Sequence, residues 1–392
     1  MLFVGIDVTK SKHDCCIIDS DGTIHTDSLR ITNSKKGFDS LFSFILSALD
    51  SKDIRNVKIG LESTGHYSTN ITNYLYSKGF KVHILNPLAT NLFRKASTLR
   101  KTKTDKTDAK VIATMLFTDE SKSYSPVSYQ FSELKSLTRH RYRMIGYRSK
   151  LKLSVTRLID IVFPELPDFV WSIHQNSSYS LLLELPTPKD ICNCHLTKLT
   201  NLMSKASKGK YGKDKAASLK ELALNSIGSS NRSTAFELQQ TIRLIQSVQS
   251  EIDALDQQIK IIVKELNTPI ITIPGIGYTL AAIILSEIGN IEFFSSPSKL
   301  LAFAGMEPST YQSGNYNASR TPMVKRGSTY LRWAVTQAAR LVAMRDDTFA
   351  RYMAKKRSEG KHYEVARSHV GKKLLRVIFY LLKNNVEFIP QT

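Results

Sequence analysis

The first 87 residues alternate between short apolar runs and turn chemistry. LFVGIDV (2–8) is an apolar run with an acid next to its end, and DCCIID (14–19) is a second. Asp21-Gly22 follows, a hairpin dipeptide, and TIHTDSLRI alternates as a third strand. GFDSLFSFILSALD (37–50) carries apolar residues at helical spacing. NVKIGLES (56–63) reads as a strand ending in an acid, STGHYSTNITNYLYSKG as a helix, and KVHILNP (81–87) as a strand closed by proline. A basic helix comes next. The predicted order is three antiparallel strands, helix, strand, helix, strand, helix.

From residue 132 the period changes. Leu137, Met144, Leu151 and Leu158 fall seven apart on a long amphipathic helix. Its polar face holds Arg139, His140, Arg141, Tyr142, Arg143, Tyr147, Arg148 and Lys150. Leu238, Ile245, Ile252, Ile259 and Leu266 hold one heptad position of a second long helix. Thr241, Val248, Leu255 and Ile262 hold the position three later. This predicts a coiled coil, between chains or against the 132–160 helix. The segment 163–233 shows no pattern that assigns a fold, and its stretch SKASKGKYGKDK reads as a mobile loop. Near the C-terminus IPGIGYTLAAIILSEIG (273–289) opens an apolar helix with a Gly-x-Gly turn, and basic helices follow.

Charge narrows the choice of partner. With 392 residues the chain has room for two or three domains. Lysine and arginine number 55 against 34 acids, a net charge of +21. An excess of that size points to a polyanion, with nucleic acid ahead of an anionic membrane surface. No stretch of eighteen uncharged apolar residues exists, so a spanning helix is not expected. The N-terminus reads as a strand, not a signal peptide, which predicts a cytoplasmic protein. Adjacent Cys15 and Cys16 read as buried thiols. Cys192, Cys194 and His195 form CNCH, but no second pair completes a zinc site.

One basic stretch contains a pair of acids. KTDKTDAK (103–110) sets Asp105 and Asp108 three apart among Lys103, Lys106 and Lys110, just after Arg100 and Lys101. Three apart on a helix means one face. One reading is a solvated helix laced with salt bridges. The other is a metal ion on the acids and a nucleic-acid backbone on the bases. Asp7 closes the first strand and Glu62 the fourth. If those strands lie side by side, the two acids converge, and a helix crossing that end adds Asp105 and Asp108. Four carboxylates in one place repel, and a divalent ion such as Mg²⁺ relieves them. The strand order and acid positions are those a ribonuclease H-like nuclease fold requires.

Two further motifs bear on phosphate chemistry. Gly275 and Gly277 in PGIG place backbone amides at a helix N-terminus, as in a helix-hairpin-helix element that holds a DNA backbone. YQSG (311–314) contains Ser313, with Arg320, Lys325, Arg326 and Arg332 close behind. A hydroxyl can attack phosphorus when activated and when cations hold the phosphate. On composition alone Ser309 and Ser319 are equal candidates.

GIDVTK, LESTGHY, KTDKTDAK, IPGIG, FAGMEPSTYQSG and KRGSTYLR occur in that order. Together they resemble the IS110 insertion-sequence transposases, the bridge-RNA-guided recombinases related to Piv invertases. The likeness covers roughly residues 1–125 and 269–345. It implies an α/β RuvC-like domain over 1–125 bearing an Asp-Glu-Asp-Asp tetrad, which falls on Asp7, Glu62, Asp105 and Asp108. It implies a helical, coiled-coil region over 126–268, with 163–233 as an insert. A mostly helical transposase domain would occupy 269–392, with its nucleophilic serine at Ser313. The partners implied are donor DNA, target DNA and a noncoding bridge RNA, and the assembly a dimer joining into a tetramer. The chemistry implied is Mg²⁺-dependent cleavage through a phosphoserine. Two competing readings are a Holliday-junction type RuvC-like nuclease using water, and a nucleic-acid-binding scaffold with a degenerate site.

Overall fold

A computed structural model describes residues 1–49, 53–62, 66–85, 87–97, 104–118, 129–309, 312–313, 316–317 and 322–390. The chain packs as two compact units, Met1–Val127 and Ser128–Thr392. In the first, strands β1 (Leu2–Val8), β2 (Lys12–Asp19), β3 (Ile24–Thr32), β4 (Val57–Glu62) and β5 (Lys81–Leu85) form one sheet. Its order is β3-β2-β1-β4-β5. The first three strands are antiparallel, and β1, β4 and β5 run parallel. The first and fourth strands therefore do lie side by side.

Helices cover the two faces differently. Val4 and Ile6 of β1 point to one face and pack with Ile17, Ile59 and Leu61 against α1 (Lys35–Ser47) and α2 (Ser68–Ser77). The alternate residues Phe3, Gly5 and Asp7 point to the other. There α3 (Pro87–Ser97) leads to α4 (Asp105–Thr118), whose Ala109 and Ala113 pack on Cys16 and Ile18. Gly5 is what lets α4 lie so close. A Cβ built there would stand 2.1 Å from the Ala109 carbonyl oxygen and 2.3 Å from the Ala113 nitrogen. Both are backbone atoms that can yield only if the whole helix moves.

Among its described residues the second unit is helical apart from two short strands. Its frame is α5 (Tyr129–Val162) and a later helix of equal length, Arg232–Glu265. Between them stand α6 (Leu166–Phe169), α7 (Asn176–Glu184), α8 (Pro188–Asn193), α9 (Leu196–Ala206) and α10 (Lys213–Leu224), so the long helix is α11. After it come α12 (Tyr278–Ile288), α13 (Pro297–Phe303), strands β6 (Gln312–Ser313) and β7 (Tyr316–Asn317), α14 (Thr329–Ala343), α15 (Asp347–Ser358) and α16 (Tyr363–Asn384).

The heptad seam packs within the chain. Leu134 of α5 shares a core with Ile259, Ile262 and Val263, while Val155, Leu158 and Ile159 share another with Leu238, Ile242 and Ile245. The start of α5 thus meets the end of α11, and the two run antiparallel. Arginines stitch them: Arg141 to Asp256 at 2.7 Å, Arg148 to Gln249, and Arg157 to Glu237 at 2.8 Å.

The segment 163–233 departs from the sequence expectation. It is a helical bundle whose Leu166, Leu182, Ile191, Leu199 and Leu219 are fully buried. SKASKGKYGKDK is not one loop: it holds the last turn of α9, a short turn and the start of α10. Short helices of mixed spacing leave no long period to read. The Thr187-Asp190 capping box marks where α8 begins. His195 of CNCH caps α9, its Nδ1 accepting from the Thr197 N–H. Among the described residues no helix is long and apolar enough to cross a membrane.

Candidate active site

The α4 face of the sheet gathers the acids. Asp7 follows Gly5 on that face at the end of β1, and Gly5 and Gly60 are register partners, so Glu62 follows Gly60 on the same face of β4. Thr104 starts α4, its hydroxyl accepting from the Thr107 N–H at 3.2 Å, and Asp105 and Asp108 occupy the first turn. Carboxylates are favoured there by the helix dipole. The close seat of α4 on Gly5 carries this turn to the strand ends.

The electrostatics show the crowding. Burial first, then the charges of Asp108, Asp105, Glu62 and Asp14, push Asp7 up to about 6 from an ordinary 3.8. All four acids predicted from sequence are in that set, and Asp14 is a fifth. Cations offset part of the repulsion. Arg94 Nη1 donates to Asp108 Oδ1 at 3.2 Å, and its Nη2 donates to Asn91. Lys12 Nζ stands 3.6 Å from Asp105 Oδ2. Beside them lies a pocket of about 240 Å³ lined by Glu62, Thr90, Asn91, Arg94 and Asp108.

Among the described residues no three His, Cys, Asp or Glu side chains already stand at the spacing of a bound ion. The chemistry of the set still fits one. It offers oxygen donors only, it carries surplus negative charge, and its central member holds its charge at a cost. Those are the properties that favour a hard divalent cation.

The basic residues divide. Lys106 pairs with Asp27 of β3 at 2.5 Å, the salt-bridged reading of that helix. Arg100, Lys101, Lys103 and Arg320 lie outside the described residues, as does Ser319. Arg139 is turned inward: Nε and Nη2 hold both oxygens of buried Glu287 at 2.8 and 3.1 Å, and its guanidinium lies 4.8 Å from the Tyr330 ring. Arg148 is half-buried on Gln249. Arg143, with His140 and Lys150, is exposed.

The PGIG turn also divides. Gly275 sits at φ +97°, and a Cβ there would meet the Leu341 carbonyl at 2.8 Å, so this glycine serves close packing on α14. Gly277 is exposed at the N-cap of α12, with Lys260 and Lys264 reaching toward the neighbouring Tyr278 ring.

Ser313 pairs with Tyr316 in the β6–β7 hairpin. The base of that hairpin is a short ladder, Ser309 N–H to Pro322 and Val324 N–H to Glu307. Arg332 closes it, donating to the Lys325 carbonyl at 3.0 Å. Arg332 therefore holds the loop, while Lys325 and Arg326 are exposed on it.

Sequence reasoning missed Asp14, Arg94 and Lys12. Asp14 stands directly across from Asp7 in the antiparallel register, a pairing that the structure alone reveals. Arg94 carried no signal beyond its place in a basic helix.

The DEDD transposase domain of IS110 elements matches residues 4–164, and the Transposase IS116/IS110/IS902 family matches residues 267–354. An insertion element IS116 protein of Streptomyces clavuligerus is 23% identical, over 99% of this chain and 96% of its own length. The pilin gene-inverting protein of Moraxella lacunata is 23% identical over 98% of this chain and 97% of its own, and that of Moraxella bovis 22% over the same shares. The four-acid signature in the matched domain suggests use of a divalent metal. With both matched regions in order and the relatives aligned end to end, the chain belongs to the IS110 family of insertion-sequence transposases.

Proposed function

We propose that this transposase is an RNA-guided recombinase. On this reading its RuvC-like sheet domain and Ser313 cut and rejoin DNA with Mg²⁺. The observation that carries the reading is the convergence of Asp7, Glu62, Asp105 and Asp108 on one sheet face, felt as charge on Asp7. Those carboxylates would hold the ion, which when bound polarises the phosphate and the oxygens around it. Ser313 supplies the attacking hydroxyl: the Oγ–P bond forms as the P–O3′ bond breaks, and the proton lost from the serine balances the one gained by the departing 3′ oxygen. Lys325 and Arg326 offset charge on the phosphate. The reverse step, with the 3′ hydroxyl of the other strand as nucleophile, releases the serine. A bridge RNA selects donor and target, and dimers join into a tetramer. The net charge of +21 supports a nucleic-acid partner on this scale.

The test is denaturing electrophoresis of the protein with end-labelled donor and target DNA, bridge RNA and Mg²⁺. Wild type is expected to give a DNA-linked protein band, and Ser313→Ala none. Free nicked DNA without an adduct would instead indicate hydrolysis by water. Full cleavage in EDTA would remove the metal from the mechanism.

A further inference from the structure

We propose that Asp14 is a fifth carboxylate of the cation site, its Oδ2 accepting hydrogen bonds from the water shell of a divalent ion held by the other four. The inference rests on the cation reading above and assigns a residue that the DEDD pattern does not contain. Asp14 is directly opposite Asp7 in the β1–β2 register. Facing residues of an antiparallel pair share a sheet face, with Cβ atoms about 4.5–5.5 Å apart. Asp14 therefore stands on the α4 face, one strand further from β4 than Asp7.

Its own environment is unfinished. The side chain is fully buried, with 0% of its surface exposed. Oδ1 accepts from Arg30 Nε at 3.1 Å. Oδ2 has no hydrogen-bond partner among the described residues. A carboxylate can accept about four hydrogen bonds, and a buried acceptor left empty is costly. A simple ion pair with Arg30 does not account for it. The Arg30 side chain is 59% exposed and reaches only one of the two oxygens, although the fork of an arginine can serve both. Asp14 belongs to the face where the acids gather and its charge acts on Asp7, and a small divalent ion such as Mg²⁺ retains waters that need acceptors. Arg30, the register partner of Asp14 on β3, holds Oδ1 and competes with the ion for the charge of the carboxylate. Asp14 is a positioning residue, since it acts through water held by the ion.

The test uses the full chain without nucleic acid and reads Mn²⁺ affinity by titration calorimetry, with circular dichroism reporting the fold. Asp7→Asn and Asp14→Asn should each stay folded and bind Mn²⁺ more weakly, Asp14→Asn by about 10-fold, as for other partners that touch a metal only through its ligands. If Asp7→Asn weakens binding and folded Asp14→Asn matches wild type, Asp14 is outside the site and the cation reading stands. If Asp7→Asn itself binds Mn²⁺ like wild type, the cation reading fails and this inference with it. Arg30→Gln covers the case in which Asp14→Asn does not fold. Removing the competing positive charge should raise Mn²⁺ affinity, and an unchanged value overturns the proposal.

Discussion

Replacing Asp7 with asparagine should make the metal-free protein more stable while removing its cleavage activity. The folded state holds this carboxyl at about 6 against an ordinary 3.8, through burial and four neighbouring acids. A group whose folded pKa is raised contributes stability that is fully present below the unfolded value and is lost as pH rises through the folded one. At pH 7.5 the wild type therefore carries a charge that the fold disfavours. A rise from 3.8 to about 6, at about 1.4 kcal/mol per pH unit, sets an upper bound of about 3 kcal/mol. Asp7 is only half-buried, and screening by solvent reduces this to about 1–2 kcal/mol. For a unit of this size that is a rise of about 4–8 °C in Tm. The assay is thermal unfolding of both proteins in chelator-treated buffer from pH 4 to pH 8. The gain should be largest above pH 6 and should shrink steadily as pH falls to 4, vanishing only below the ordinary 3.8, where the carboxyl is protonated in the folded and the unfolded chain alike. Added Mg²⁺ should close the gap by stabilising the wild type alone. An Asp7→Asn protein that melts at or below wild type at pH 7.5 would refute the crowding argument. So would a gain equal at pH 4 and pH 8, because the benefit would then come from packing and not from charge.

Gly5→Ala should disable cleavage without touching an acid. Its methyl group meets backbone of α4 at 2.1 Å, so the helix must shift with Asp105 and Asp108, at about 1–3 kcal/mol of overpacking. Retained cleavage would show that the first turn of α4 is not needed where it stands. Glu287→Gln should cost roughly 2–4 kcal/mol in urea unfolding at pH 7, because it leaves Arg139 half-buried without its anion. Burial pushes Glu287 up, but the bonds from Arg139 and Ser328 and the charge of Lys135 outweigh it and hold the carboxyl below its ordinary 4.5. The stability it adds is present above pH 4.5 and lost as pH falls through the folded value, so the deficit should shrink in acid. A deficit that is constant from pH 3 to pH 7 would argue against the ion pair. Arg143→Glu should weaken RNA binding and flatten its salt slope with Tm unchanged, whereas Arg139→Gln should lower Tm. RNA affinity indifferent to Arg143 would mark that face as merely solvated.

The sheet was legible because its strands obey local rules. Asp21-Gly22 fixes a hairpin, and the Asp19 carboxylate accepts from Asp21 and Thr23 to complete the turn. The alternation of LFVGIDV gives both faces of β1, with Val4 and Ile6 in one core and Gly5 and Asp7 on the other side. Four acids then followed from strand ends and from a spacing of three. Asp14 escaped because nothing in the linear chain says that it will lie across from Asp7. That follows only from the register of β2, which the Lys12 and Thr9 contacts at the turn establish in three dimensions. Residues 163–233 escaped for a different reason. Their helices are short, and their apolar faces close on one another and on the flanking helices α5 and α11, so no single period runs long enough to read.

The basic face of α5 shows where composition stops being informative. Arg139, Arg143 and Arg148 look alike in sequence, on one helix among tyrosines. What separates them is the partner each meets more than a hundred residues later. Arg139 finds the Glu287 carboxylate, which is 3% exposed, at 2.8 Å. Arg148 finds Gln249, and Arg143 reaches solvent. A surface ion pair is worth at most about 1 kcal/mol and yields easily to a phosphate. A bidentate pair on a buried acid does not, because releasing the arginine strands a desolvated charge. The same distinction orders the cations of the acidic face. Lys106 and Asp27 are both about half-exposed, so Lys106 is free to trade its partner for a nucleic-acid backbone. Arg94 and Asp108 are shielded at 24% and 17% exposure, and their pair persists unless a stronger positive charge arrives. A divalent ion is such a charge, and a lysine side chain is not.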